Sequence, residues 1–350
     1  MPRLRAGRWV ASDDAPRNAD DEGISQCRDS QFRAVAELTP KSEREAATFR
    51  ESDAFVRAGV VAVRETAKAA RLDTTVFRDD RSIFAATAYG GVGFAEEEDR
   101  VLVSRGPLGV SKYLSTGWFP ASLAGHASIL FGAGGPSRTV ISDYGGLGAL
   151  YLASRSIRRG VSREAIAVAA DAGLGSATSS PERSPASCAV ALTPDGATSP
   201  KLTAVVLASR GTSMAPEEEC LSLALQQACW EPEAVDLVIA STGDEPPDWR
   251  GAAAVFCRDR GARALTWRYA RLPRAAGAVE SLLWPCLVAA LLGRTADSIL
   301  KVLSSETRDR GVNWAGVRPG LVQRAIVIVG GAGAIGGCVA MELDTRGVTQ

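Results

Sequence analysis

A chain of 350 residues with 46% hydrophobic content has room for two or three domains, or one large one, around a sizeable core. Its 40 basic and 40 acidic residues cancel, which removes any electrostatic case for nucleic acid or an anionic membrane as partner. A single histidine, His126, excludes every mechanism that needs two imidazoles and every three-histidine metal site.

The seven cysteines are scattered, and none forms a CxxC pair. That pattern points to reduced, mostly buried thiols in a cytoplasmic protein. The first residues, "MPRLRAGRWVASDDAP", lack the continuous apolar run of a signal peptide. The most apolar stretch, "SLLWPCLVAALLG", has 13 residues, short of a membrane span and suited to a buried helix.

In chain order, residues 1 to 45 are polar and weakly patterned and read as a loosely structured segment. "SDAFVRAGVVAVRETAKAARLD" (52–73) sets Phe55, Val56, Val60, Val63 and Ala67 at helical spacing, so an amphipathic helix is expected. "RSIFAATAYGG" (81–91) reads as a strand ending in glycines, and "AEEED" (95–99) as a solvated loop. "ASLAGHASILFGAGGPSRTVISD" (121–143) reads as helix, turn and strand. "GGLGALYLASRSIRRG" (145–160) is a helix closed by a C-cap glycine, and "EAIAVAADA" (164–172) a strand before a Ser/Pro-rich loop.

In the second half, "KLTAVVLASRG" (201–211) is a strand. "EEECLSLALQQACW" (217–230) is a helix with acids in its first turn, and "VDLVIASTGDEPP" (235–247) a strand entering a polar loop. "GAAAVFCRDRG" (251–261) reads as a helix, "ARALTWRYA" as a short strand and "GAVESLLWPCLVAALLG" as a buried helix. Alternating strands and helices in both halves argue for a layered α/β fold.

The chain closes with "AIVIVGGAGAIGGCVAMELD", in which Gly331, Gly333 and Gly336 match the spacing of a dinucleotide-binding turn. Such a turn needs a following helix and a further strand bearing an acid for the ribose. Only 14 residues follow Gly336. The better reading is a tight glycine turn between two strands, "AIVIV" and "GCVAMEL".

That ending resembles the closing hairpin of the β-ketoacyl synthases. Other segments agree in order. "AGHASILFGAGGPSRTVIS" is similar to that family's approach to its nucleophile elbow, and "GGLGALYLASRSIRRG" to the helix behind it. "VDLVIASTGDE" is similar to the strand that leads to a histidine loop, and "RYARLPRAAGAVESLLWPCLVAALLG" to the stretch holding a second histidine. The resemblance spans roughly residues 52 to 344. It implies a thiolase-like αβαβα fold with two related halves, over 46–200 and 201–350.

An active synthase places a thiol at a helix N-terminus, where the dipole and backbone N–H groups favour the thiolate and hold the thioester oxygen. Here that position falls to Asp143 or Tyr144, and no cysteine lies between Cys27 and Cys188. The first histidine position reads Ser241-Thr242, and the second region Arg271-Leu272-Pro273-Arg274. All three catalytic positions are lost, so self-sufficient condensation is not expected.

This loss resembles the chain-length factor, the β subunit of type II polyketide and aryl-polyene synthases. "SDYGGLGAL" and "RLPRAAGAV" are similar to runs of that branch. The resemblance implies a heterodimer with an active ketosynthase α subunit, no bound cofactor, and acyl chains carried on the phosphopantetheine of an acyl carrier protein. It implies a dimer strand over Arg138, Thr139, Val140, Ile141 and Ser142, and a tunnel gate at Trp118 and Phe119 with Tyr113 and Leu114 nearby. Ordinary core packing is the alternative for these aromatic residues.

His126, inside the apolar "LAGHASI", reads as a structural histidine. Arg271 and Arg274 suit a carboxylate or phosphate, or solvent. Arg155, Arg158 and Arg159 suit a helix C-terminus, or docking of an acidic carrier. Two rivals are an acyltransferase of the same fold with a relocated nucleophile, Ser142 or Tyr144, and a nucleotide-binding oxidoreductase built on the last glycine motif.

Overall fold

The computed structural model describes residues 3–10, 32–35, 38–172, 186–194, 200–208, 216–242, 265–267, 278–293, 295, 312–314, 321–330 and 336–343. Ten of the described strands form one mixed sheet. They are β1 (Arg3–Val10), β2 (Phe32–Val35), β3 (Arg81–Thr87), β4 (Ser137–Ile141), β5 (Glu164–Asp171), β6 (Ala186–Thr193), β7 (Lys201–Ala208), β8 (Leu237–Thr242) and the closing pair. Two short strands, β9 (Leu265–Trp267) and β10 (Val312–Trp314), pair with each other. The closing pair is β11 (Arg324–Gly330) and β12 (Gly336–Glu342).

The main sheet runs β4-β3-β5-β6-β1-β7-β12-β11-β8, with β2 beside β1. It is two sheets joined at one corner, because β1 and β7 share a single pair, Arg3 with Lys201. The two parts repeat one plan. In the first, β3 is parallel to β5, β5 antiparallel to β6, and β6 antiparallel to β1. In the second, β8 is parallel to β11, β11 antiparallel to β12, and β12 antiparallel to β7. The N-terminal segment expected to be loosely structured therefore supplies two strands, one of them interior. The three arginines of "RLRAGRWV" conceal that strand from an apolar pattern search.

The described helices are α1 (Glu43–Glu51), α2 (Ala54–Ala69), α3 (Val92–Arg105), α4 (Leu114–Gly117), α5 (Ser122–Leu130), α6 (Gly145–Arg158), α7 (Pro216–Ala228) and α8 (Ala278–Leu291). Ser42 caps α1 through the Glu45 N–H, and Asp53 caps α2 through the Phe55 N–H. All five residues expected on the inner face of α2 are buried.

Alternation along the strands sorts the core into layers. On β3, Phe84 and Ala86 enter the central cluster with α6 and α8, while Ile83 and Ala85 face α2 and α5. On β11, Ala325, Val327 and Val329 face the same central cluster, while Ile326 and Ile328 face α7. The order is helix, sheet, paired helices, sheet, helix: a thiolase-like αβαβα arrangement. Strands covered on both faces read as continuous apolar runs, which is why they stood out in the sequence.

One further expectation changes and one holds. Residues 95–99 lie inside α3, not in a loop. None of that helix is buried, so no apolar stripe marks it. Polar contacts support it instead: Asp53 accepts from the Phe94 N–H, Glu98 from the Ser111 N–H, and Arg100 pairs with Glu97. The closing glycine pattern leads into β12, antiparallel to β11, so no helix follows it as a dinucleotide site requires. The helix expected over 251–261 lies outside the described residues.

Candidate functional site

The carboxyl ends of β3, β4 and β5 converge on the heads of α6 and α8. Strand β4 ends at Ile141, and α6 begins at Gly145 with Tyr144 as its cap. Asp143 is exposed. Tyr144 packs against the central cluster, and its N–H bonds the Ser142 hydroxyl. Thus Tyr144, and not Asp143, caps the head of the buried helix.

The head of α6 is closed by α8. A Cβ on Gly146 would collide with the Ala278 carbonyl oxygen and the Ser281 and Leu282 side chains. Ser281 Oγ accepts the Leu147 N–H at 3.1 Å and donates to the Ala278 carbonyl at 2.9 Å. A first-turn N–H that could have faced an anion is already satisfied. The five described cysteines lie elsewhere: Cys188 on β6, Cys220 on α7, Cys229 just after it, Cys286 on α8 and Cys338 on β12. Cys188 and Cys286 touch at 3.7 Å, and burial pushes the Cys188 thiol well above its ordinary pKa.

The carboxyl end of β8 places the Ser241 and Thr242 backbone beside Val329 and Gly330 of β11. Arg271, Leu272 and Arg274 lie outside the described residues. His126 is half-buried on α5, with Nδ1 3.5 Å from the Thr48 hydroxyl of α1, and burial lowers its pKa. Its contact is with the outer helical layer, as a structural histidine's would be. Arg158 turns inward from the end of α6 and donates to the Leu202 and Thr203 carbonyls of β7. Burial lowers its pKa.

The aromatic candidates and the strand candidates meet on one face. Trp118 and Phe119 are 45% and 52% exposed, which sets aside plain core packing in the isolated chain. Their rings stand edge to face, 6.5 Å apart. Tyr113 and Leu114 are half-buried at the start of α4. Phe119 lines a groove of about 470 Å³ with Ala124, Ser137, Arg138, Thr139 and Ile141. Among the described residues β4 pairs with β3 alone, so its outer edge is open, and Ile141 is 61% exposed beside it. Val140 points the other way, onto the glycines at the head of α6.

Sequence reasoning missed Asp171, the last residue of β5, which is 1% exposed. Its Oδ1 accepts the Thr87 hydroxyl at 2.8 Å, the Ala88 N–H at 2.7 Å and, more weakly, the Tyr89 N–H at 3.4 Å. Its second oxygen meets no donor at hydrogen-bond distance among the described residues, and the Ala278 backbone N–H at the head of α8 adds a weak pull on the carboxyl. Burial pushes the carboxyl up to about 6, against the pull of these donors. An acid closing the alanine-rich run "EAIAVAAD" was the available signal. Ser281 was missed too, because a serine opening an apolar helix reads as an ordinary first-turn residue.

Two sheets of like order around a shared helical layer define a thiolase-like ketosynthase fold. Solved structures agree. One is a type II PKS acyl carrier protein in complex with its ketosynthase bound to the hexaketide, AntDE:AntF (TM-score 0.64, 19% identity, 88% of each chain). Another is the ishigamide ketosynthase/chain length factor (TM-score 0.62, 13% identity, 98% of this chain and 99% of that one).

The chain belongs to the β-ketoacyl synthase family, whose N-terminal domain model matches residues 3–199, more than half of its length. Curated relatives include "Actinorhodin polyketide putative beta-ketoacyl synthase 2" of Streptomyces coelicolor, 38% identical over 112 residues, and "Granaticin polyketide putative beta-ketoacyl synthase 2" of Streptomyces violaceoruber, 40% identical over 82. The matches cover 31% and 23% of this chain, and only 28% and 20% of those relatives' lengths. Among the described residues no helix is long and apolar enough to cross a membrane, and no cluster of side chains suits a metal.

Proposed function

We propose that the chain is a non-catalytic β subunit, a chain-length factor, that pairs with an active ketosynthase in the cytoplasm and shapes the tunnel in which an acyl chain grows. The observation that carries this reading is the head of α6, which Tyr144 caps and where Ser281 of α8 accepts the Leu147 N–H. Condensation needs a nucleophile to hold the acyl group and donors for the enolate formed when malonyl loses CO₂. The only histidine sits against Thr48, so it offers Ser142 or Tyr144 no base for a relocated nucleophile.

The open edge of β4 and the exposed Phe119, Trp118 and Ile141 support a partner across that strand. In the pair, Trp118 and Phe119 bound the tunnel, with Tyr113 and Leu114 behind them. The extending chain rides on phosphopantetheine of an acyl carrier protein, and this subunit binds no cofactor of its own.

The test is reconstitution. The chain co-purifies with a ketosynthase that keeps its Cys-His-His set. Labelled malonyl or acyl carrier protein then marks only the ketosynthase. Covalent label on this chain overturns the reading. Within the active pair, Phe119→Ala yields longer products; an unchanged distribution removes Phe119 as the gate.

A further inference from the structure

We propose that Asp171 is the positioning residue of the Trp118–Phe119 pair, acting through the turn Thr87–Gly91. The path is a chain of short contacts from the centre of the molecule to its surface. Asp171 Oδ1 gathers the Thr87 hydroxyl and the Ala88 N–H. The Thr87 hydroxyl oxygen in turn accepts the Gly90 N–H at 2.8 Å. Gly90 takes a left-handed φ of +62°, which suits glycine. The turn thereby delivers Gly91, whose N–H bonds the Trp118 carbonyl at 3.0 Å.

Gly91 also fits directly against the backbone of the pair. A Cβ there would collide with the Gly117 carbonyl oxygen and come within 2.5 Å of Trp118 Cα. The Phe94 ring packs on Gly117, and the Phe94 N–H is held by Asp53. Two exposed rings need such a foundation, because their own side chains bury too little to fix the backbone beneath them. A turn cinched by one buried carboxylate supplies it.

The linkage stands on hydrogen bonds within this chain. Only its consequence, that Asp171 tunes the depth of the tunnel, rests on the proposed gate. Hydrogen exchange on the full-length chain alone therefore tests the linkage, while the Phe119→Ala product assay tests the gate. Asp171→Ala is expected to speed amide exchange about tenfold or more in the segments 88–94 and 114–121, and to leave helix 216–228 unchanged.

Thr87→Val, isosteric but without the hydroxyl, is expected to do the same in both segments, and Thr87→Ser to restore slow exchange. The Thr87 variants carry the test if Asp171→Ala does not fold. Unchanged exchange over 114–121 in Asp171→Ala or Thr87→Val overturns the proposal. So does Thr87→Ser matching Thr87→Val, or acceleration spread equally to 216–228.

Discussion

The two halves repeat one strand order and then diverge at the sheet edge, at the opening residue of the matching strands and at the heads of the central helices. In the first, β3 carries a further strand, β4, whose outer edge is open; in the second, the described strands end at β8. Strand β3 opens with Arg81, fully buried and donating to Glu164 and to the Asp73 and Phe131 carbonyls. Its counterpart β8 opens with the buried Leu237. The central helices differ likewise. α6 begins Gly-Gly-Leu-Gly so that α8 can seat on its head, whereas α8 is lined with Leu282, Leu283, Trp284 and Leu287. A backbone plan can be duplicated while each copy keeps its own electrostatics, and function follows the second.

The largest test of this asymmetry is Arg81→Met. It strips the partner from Glu164 and leaves buried carbonyls unmet, so a loss of about 3–5 kcal/mol is expected in chemical denaturation. A Leu237→Met change on the matching strand should cost under about 1.5 kcal/mol. Gly146→Ala comes next. On an open helix the change would gain about 1 kcal/mol, but against the Ala278 carbonyl it is expected to cost about 2–3 kcal/mol. A gain in stability would show that the two helix heads are not in close contact.

Asp171 gives a pH signature. Its folded pKa, raised to about 6, lies above the ordinary carboxylate value of 3.8. The folded state therefore holds the proton more tightly, and this group's contribution is full below about pH 4 and falls as pH rises through 6. The difference in stability between wild type and Asp171→Asn should shift across that window by up to about 3 kcal/mol. A difference that stays flat with pH would show that the carboxyl is not buried as described. Asp53→Ala, removing the α2 cap and the Phe94 anchor, is expected to cost about 1–2 kcal/mol by the same measurement. Trp118→Ala should leave stability within about 0.5 kcal/mol, since the residue is already 45% exposed, while weakening co-purification with the proposed ketosynthase partner.

Much of this organisation was legible in the residues, for stated physical reasons. Strands β3, β5, β7 and β11 are covered on both faces, so their composition alone marks them. Helix α2 shows its inner face through Phe55, Val56, Val60, Val63 and Ala67. Helix α3 left no such trace because it buries nothing. The likeness of the halves shows in the sequence only as alternating elements, while their shared hydrogen-bond order appears in the structure. The lack of any cysteine between Cys27 and Cys188 could be read from residue identity alone. The partners of Asp171 and Ser281 were not legible, because they arise only where β5 meets the turn after β3 and where α8 meets the head of α6.

One feature of the architecture governs how the whole molecule comes apart. The helices α6 and α8 take their covering from strands on both sides, and a single cluster joins Phe84 and Val190 of the first half to Val205, Ile239 and Val327 of the second. Neither half retains a closed interior if the other melts. Despite its internal duplication the protein should denature in one concerted step, with coincident curves by far-ultraviolet dichroism and tryptophan emission, and a fragment cut near residue 200 should not fold unaided.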